Sequence, residues 1–265
     1  MSELPEFEDP PVVEVALSAQ FRILPGLRGL TLAPLYEQWR DRYPRVEEQP
    51  PLPSTVEGIV PGGPAFQLNV GLPSVRYWFL TDDGTELVQL QQDRLSVNWR
   101  EQSSEKPYPR YTAMRQLFVE RFRDLETFAA QQGMGKVQVT QLELSYVNAV
   151  TIDPGDRGKL GRILTTWHDV PDAYLGDPEQ AQLSMSYQVK ELGAGISRLW
   201  VQAGPGQRVS GAPAMLLTLL VRGAPAGEGI DEILAFLDSG HQHLVRSFAE
   251  LTTPEMHTIW RWRRP

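Results

Sequence analysis

No cysteine occurs in the 265 residues of the chain. That absence excludes a disulfide framework, a thiolate metal site and a cysteine nucleophile. Long apolar runs are missing too. The longest, Ala212 to Val221, is about half of the ~20 residues a membrane helix needs. There is no excess of positive charge. The formal net charge is -8, which argues against general attraction to nucleic acid or anionic membrane. The opening residues, Met1 to Asp9, contain neither a basic n-region nor an apolar h-region, so no secretory signal is expected. These absences together lead to the expectation of a cytoplasmic protein without a membrane partner.

Turn-forming residues are plentiful by contrast. The chain holds 22 glycines and 22 prolines, which predicts many turns and a β-rich fold. Val13, Val15, Leu17, Ala19 and Phe21 alternate with mostly polar neighbours, the pattern of a half-buried strand. A helix follows at Leu32, Leu35, Tyr36 and Trp39, ending before Pro44. Pro44 to Pro53 should be extended and exposed, either as a stiff connection or as a docking segment. A meander is expected at Ala65–Val70, Val75–Leu80, Glu86–Gln91 and Arg94–Trp99. Tyr111, Met114, Phe118, Phe122 and Leu125 mark a long amphipathic helix, and Val137 to Ile152 returns as a strand.

The second half repeats this order. Pro25-Gly26-Leu27-Arg28-Gly29 is echoed by Pro154-Gly155-Asp156-Arg157-Gly158. A helix is expected over about Leu160 to Asp169, then strands at Gln182–Glu191, Ile196–Ala203 and Ala214–Arg222. The final long helix has the stripe Ile233, Leu234, Leu237, Leu244, Val245 and Phe248. The expected fold is therefore α+β: two similar strand-helix-meander-helix halves, residues 1–152 and 153–265, packed as one body. The long helices should lie across one face of antiparallel sheets in a helix-grip manner, leaving a crevice beneath them.

Catalytic signatures are scarce. The chain has no P-loop, no nucleophile elbow and no His-Glu-x-x-His. His241 and His243 fall two apart on a predicted helix, so they diverge and do not chelate. No metal and no cofactor is expected. Glu143 sits among apolar strand residues, where a carboxylate could share a cleft. Asn148 lies on the Leu144-Tyr146-Asn148-Val150 face, where a buried amide must find partners. The closing Trp260-Arg261-Trp262-Arg263-Arg264 is basic and aromatic, fit either to stack on bases or to dock on the acidic body.

Several motifs occur in a fixed order: Pro10-Pro11-Val12-Val13-Glu14-Val15, Leu90-Gln91-Gln92-Asp93-Arg94-Leu95, Asn98-Trp99-Arg100, Tyr108-Pro109-Arg110-Tyr111 and Leu142-Glu143-Leu144-Ser145-Tyr146-Val147-Asn148. His243 and Phe248 follow, then Leu251-Thr252. Together they resemble a sporadically distributed bacterial protein family of about this length. The resemblance implies a bacterial cytoplasmic protein. It transfers no activity, cofactor or catalytic residue, and marks Asn98, Trp99, Arg100, Tyr146 and Asn148 as motif residues. The first functional expectation is a non-catalytic binding or regulatory protein acting through a protein partner or self-association. The alternative is a small-molecule binder or enzyme using the crevice, with Arg100, Glu143, Tyr146 and Asn148 as its polar groups. Nucleic-acid binding through the tail ranks last.

Overall fold

A computed structural model describes residues 4–57, 75–103, 106–151, 159–169, 174–176 and 178–263. The expected strand at Ala65–Val70 and the Pro154 to Gly158 turn lie outside the described residues. The fold is α+β, with one nine-stranded antiparallel sheet and helices packed on it. In chain order the elements are β1 (Glu6–Phe7), β2 (Val12–Phe21), α1 (Ala33–Trp39), β3 (Arg45–Gln49), β4 (Arg76–Leu80), β5 (Glu86–Gln91), β6 (Arg94–Arg100), α2 (Arg110–Gln131), β7 (Val139–Thr151), β8 (Leu183–Val189), β9 (Ala194–Gln207), β10 (Pro213–Ala224), α3 (Ile230–Leu251), α4 (Pro254–Ile259) and β11 (Trp262–Arg263).

The sheet runs β3-β4-β5-β6-β2-β7-β10-β9-β8. At the centre β2 pairs with β7, so the strand order divides the sheet between them, with β7, which the boundary expected at residue 152 assigns to the first half, opening the second. Around Ala16↔Ser145 the two strands run antiparallel, and the same order of strands unfolds outward on either side. Val15, Leu17 and Ala19 of β2 and Leu142 and Leu144 of β7 are fully buried on the helix side. Burying the valine and leucine side chains contributes ~1.5–3 kcal/mol each, so the β2–β7 seam is itself core. Alternation accounts for this, because period two puts every second residue under the helices.

Helices α2 and α3 cover that face. Their buried stripes, Met114-Phe118-Phe122-Leu125 and Ile233-Leu237-Leu244-Phe248, pack onto β6 and β2 and onto β7 and β10 respectively. Gly240 sits where α3 comes closest to β10. A Cβ there would lie 2.8 Å from Val221 Cγ1, so the close approach requires glycine. Among the described residues, no helix is long and apolar enough to cross a membrane.

One local expectation is corrected. The helix expected over Leu160 to Asp169 is only a 3-10 turn at Leu160–Arg162. Beyond it the backbone is spent on the end of α3. Thr165 N donates to Leu251 O (2.9 Å), and Thr253 N donates to Ile163 O (3.0 Å). Capping those helix-terminal groups competes with continuing a short helix. The two halves thus share a strand plan and a long helix, but not the short one.

The proline-rich segment is extended and largely exposed, as expected, with Pro44, Arg45, Val46, Glu48, Pro50, Pro51 and Pro53 all exposed. Residues 45–49 form β3, and the chain then crosses the polar face of the sheet opposite the helices. Leu52 exchanges two backbone bonds with the amide of Gln91, each 3.0 Å, and Thr55 does the same with Gln20 (2.9 and 3.1 Å). Glu57, the last described residue of this stretch, sits in a socket made by Arg198 Nη1 (2.8 Å), Trp200 Nε1 (2.8 Å) and Arg222 Nη1 (3.3 Å). Its prolines keep the segment extended, and side-chain amides from the sheet supply the partners its backbone lacks.

Candidate functional site

Beneath the two long helices lies a cavity of about 470 Å³. Its floor is Tyr146 and Asn148 of β7 and Leu219 of β10. Its walls are Tyr108, the start of α2, and His241, Leu244 and Phe248 of α3. The N-terminal arm, Leu4 to Phe7 with Pro10, closes one side.

Three polar side chains form a chain along this cavity. Tyr108 Oη lies 3.1 Å from Tyr146 Oη, which lies 3.0 Å from His241 Nδ1. Each phenol has one proton to donate. The chain can therefore run from Tyr108 toward the imidazole or from the imidazole toward Tyr108. In the first direction His241 Nε2 carries a donor and Tyr108 accepts. In the second, Tyr108 donates and His241 Nε2 accepts. Either way one end offers a donor and the other an acceptor, and His241 Nε2 has no partner among the described residues.

The imidazole is held firmly. It stacks on Tyr111 at 4.0 Å between centroids and 6° between planes. Tyr111 Oη donates to Asp238 Oδ1 (2.8 Å), which is also gripped by Arg115 through Nε (2.7 Å), while Arg115 Nη2 bonds Oδ2 (3.0 Å). Positions 111 and 115 on α2 and 238 and 241 on α3 are one turn apart, so helical spacing brings both pairs face to face. Burial pulls the His241 pKa down to about 4, partly offset by the Asp238 charge. Burial pushes the Tyr108 phenol up to about 12 and the Tyr146 phenol well above its ordinary value. All three are therefore neutral near pH 7.

The arm over the cavity is clamped from several directions. Arg110 Nη1 donates to Phe7 O (3.1 Å) and Nη2 to Glu8 O (3.0 Å). Arg110 itself has φ 71°, a left-handed conformation that costs a non-glycine residue roughly 1–2 kcal/mol. Glu6 and Phe7 pair with Arg263 and Trp262 as the small β1–β11 sheet. Phe7 packs against Phe248, Trp260 and Trp262, and Arg263 Nε bonds Glu8 Oε1 (2.8 Å). The basic aromatic tail thus docks on the body and holds the arm in place.

The four candidate residues divide between the two faces. Tyr146 and Asn148 line the cavity. Asn148 is 2% exposed and donates to Leu217 O (3.1 Å), beside the bulge where the β2–β7 register shifts between Val12 and Glu14. Arg100 and Glu143 are on the opposite face. Glu143 Oε1 lies 2.9 Å from Arg222 Nε and 3.9 Å from Arg94 Nη1, and the Arg100 guanidinium lies over Trp78 at 5.3 Å. Strand parity is the reason, since residue 143 alternates with 142, 144, 146 and 148.

Sequence reasoning passed over Tyr108, Arg110, Tyr111 and His241 as site residues. One signal was available. His241 lies four residues after Leu237 and three before Leu244, so a polar ring occupies a core position of α3. No group of three His, Cys, Asp or Glu among the described residues could hold a metal ion. Comparison of the chain with protein-family models and with curated proteins finds no match.

Proposed function

We propose that this protein binds a small, uncharged, largely apolar molecule in the cavity between α2, α3 and the sheet. The observation that carries this reading is the Tyr108–Tyr146–His241 chain, which leaves hydrogen-bonding capacity unspent inside an otherwise apolar space. Buried polar groups normally find partners within the protein, so open capacity of this kind favours a ligand or water. The cavity volume of about 470 Å³ falls within the ~300–1,000 Å³ typical of small-molecule sites. A hydroxyl, carbonyl or amide on the ligand fits the donor at one end of the chain and the acceptor at the other. Leu219, Leu244, Val245 and Phe248 suit an aliphatic or aromatic body.

Binding is favoured over proton-transfer catalysis. A general acid or base works best with a pKa near the working pH, and burial moves His241 and both tyrosines away from neutrality. The expectation of a protein partner rested partly on the proline-rich segment, whose backbone is engaged at Leu52 by Gln91 and at Pro53 by Arg94 of the same chain.

The test is a thermal-shift screen with neutral aromatic and alicyclic hydroxy and carbonyl compounds, run beside solvent extraction and mass spectrometry of protein purified from its native host. A ligand that raises Tm in wild type should fail to do so in Leu219→Trp, which fills the cavity. If no compound shifts Tm and the extract holds no stoichiometric small molecule, the reading is wrong.

A further inference from the structure

The two edges of the nine-stranded sheet are built differently. β3 closes one edge and carries Arg45, Glu47 and Glu48 in five residues, with Pro44 and Pro50 on its flanks. Charges and prolines of this kind keep a second strand from pairing. β8 closes the other edge with Leu183-Ser184-Met185-Ser186-Tyr187-Gln188-Val189. It has no charge and no proline. Its inner side pairs with β9 through all seven residues, and no described residue bonds its backbone on the outer side.

We propose that β8 is a self-association edge, at which two copies of this chain join their sheets antiparallel about Ser186. The argument is self-complementarity. A second copy related by a two-fold axis normal to the sheet keeps its helix side on the same face. Directly opposed residues must then share strand parity, so the axis passes through a residue pair. Centred on Ser186, the axis opposes Leu183 with Val189 and Met185 with Tyr187 on the helix side. On the other side it opposes Ser184 with Gln188 and Ser186 with itself. Every apolar residue meets an apolar one and every polar residue a polar one. Lys190 falls opposite Gln182, so no like charges meet. Leu183, Met185 and Val189 already pack partly against the core, and Tyr187 is 42% exposed. Pairing would extend that apolar layer and give the edge amides and carbonyls partners. The same operation on β3 sets Glu47 against Glu47, a repulsive pair.

The chain's lack of cysteine makes the register directly testable. Opposed residues in an antiparallel pair have Cα atoms ~4.5–5.5 Å apart, within the range a disulfide spans. Ser186→Cys should therefore oxidise to a covalent dimer. Ser184→Cys lies on the same exposed face, but its copies would be about 14 Å apart along the strands, and it should cross-link at least roughly tenfold more slowly. Analytical ultracentrifugation over a concentration series should show a wild-type dimer, and Ser186→Lys should be monomeric with an unchanged circular dichroism spectrum. Ser184→Lys, opposed by Gln188, should weaken the dimer less than Ser186→Lys does. Three results overturn the proposal: a wild type that stays monomeric, a dimer that Ser186→Lys leaves intact, or equal cross-linking of the two cysteine variants. None of these depends on whether the cavity binds a ligand.

Discussion

The two faces of the central strands offer the clearest contrast in the molecule. Both are drawn from the same strands, and alternation gives each its own set of residues. On the face away from the helices, most of the polar groups bond one another, while the Nε atoms of Arg76, Arg94 and Arg100 are buried without a hydrogen-bond partner among the described residues. Gln89 Oε1 accepts from Arg76 Nη1 (2.9 Å) and Trp78 Nε1 (3.1 Å), its amide donates to Asn98 Oδ1 (2.8 Å), and Asn98 Nδ2 donates to Glu14 Oε1 (2.7 Å). Ser96 donates to Ser18 (2.7 Å), and residues 50–57 cover Gln20 and Gln91. On the helix face the polar groups are fewer and neutral, and their chain ends are open. The lesson is that charge density did not mark the candidate site. An open-ended chain of neutral groups beside a cavity did.

Several experiments would break or sharpen that contrast. The largest effect is expected on the closed face. Glu57→Ala should destabilise the protein by about 3 kcal/mol in urea unfolding, because it takes the carboxylate from Arg198, leaves Arg222 with Glu143 alone and empties the socket. A loss below ~1 kcal/mol would mean that the crossing segment is not a structural cover.

The next effect belongs to the cavity. His241 has a folded pKa of about 4, below its unfolded value of 6.5, so the unfolded chain binds the extra proton first. Stability from this group is complete above pH 6.5 and is lost as pH falls toward 4. The loss should be about 2 kcal/mol once partial exposure is allowed for. His241→Phe, which keeps the stack on Tyr111, should flatten the pH profile of Tm between those values. A profile of unchanged slope would contradict the burial of a neutral imidazole.

Asn148→Ala should cost roughly 1–2 kcal/mol, by removing a buried donor beside the β2–β7 bulge. The smallest stability effect is expected for Tyr146→Phe, about 1 kcal/mol or less, since Tyr108 and His241 can turn to water. Its affinity effect should be larger: about tenfold weaker binding of any cavity ligand, measured by calorimetry. A variant that loses stability and keeps affinity would reassign Tyr146 to the core.

Much of the fold was legible because its signals are local. Alternation from Val13 to Phe21 and the stripes of Met114 to Leu125 and Ile233 to Phe248 need only the neighbouring residues to be read. The failures involve partners distant in sequence. Residues 160–169 carry a helical apolar spacing, yet Thr165 and Ile163 bond the end of α3, some 85 residues away. Pro44 to Pro53 is exposed as its sequence reads, but nothing nearby announces Gln91 as the partner of Leu52 or, just beyond, Gln20 as that of Thr55. Of the site, Tyr146 and Asn148 were visible as polar residues on an apolar strand face. Arg100 and Glu143 were grouped with them although strand parity assigns them to the other side. His241 was readable as a polar residue within a buried stripe, but its meaning came only with Tyr146 beside it.

The sequence by itself determined the α+β composition, the long helices and the alternation that gives each strand two unlike faces. These follow from periodicity and turn chemistry, which act over a few residues. Only the tertiary structure decided that β2 and β7 join the halves into one sheet, that residues 50–57 seal its polar face, and that Tyr108, Tyr146 and His241 line up in a cavity. Those outcomes depend on which hydrogen-bonding groups are left over after the local elements form, and that balance is settled only when distant segments meet.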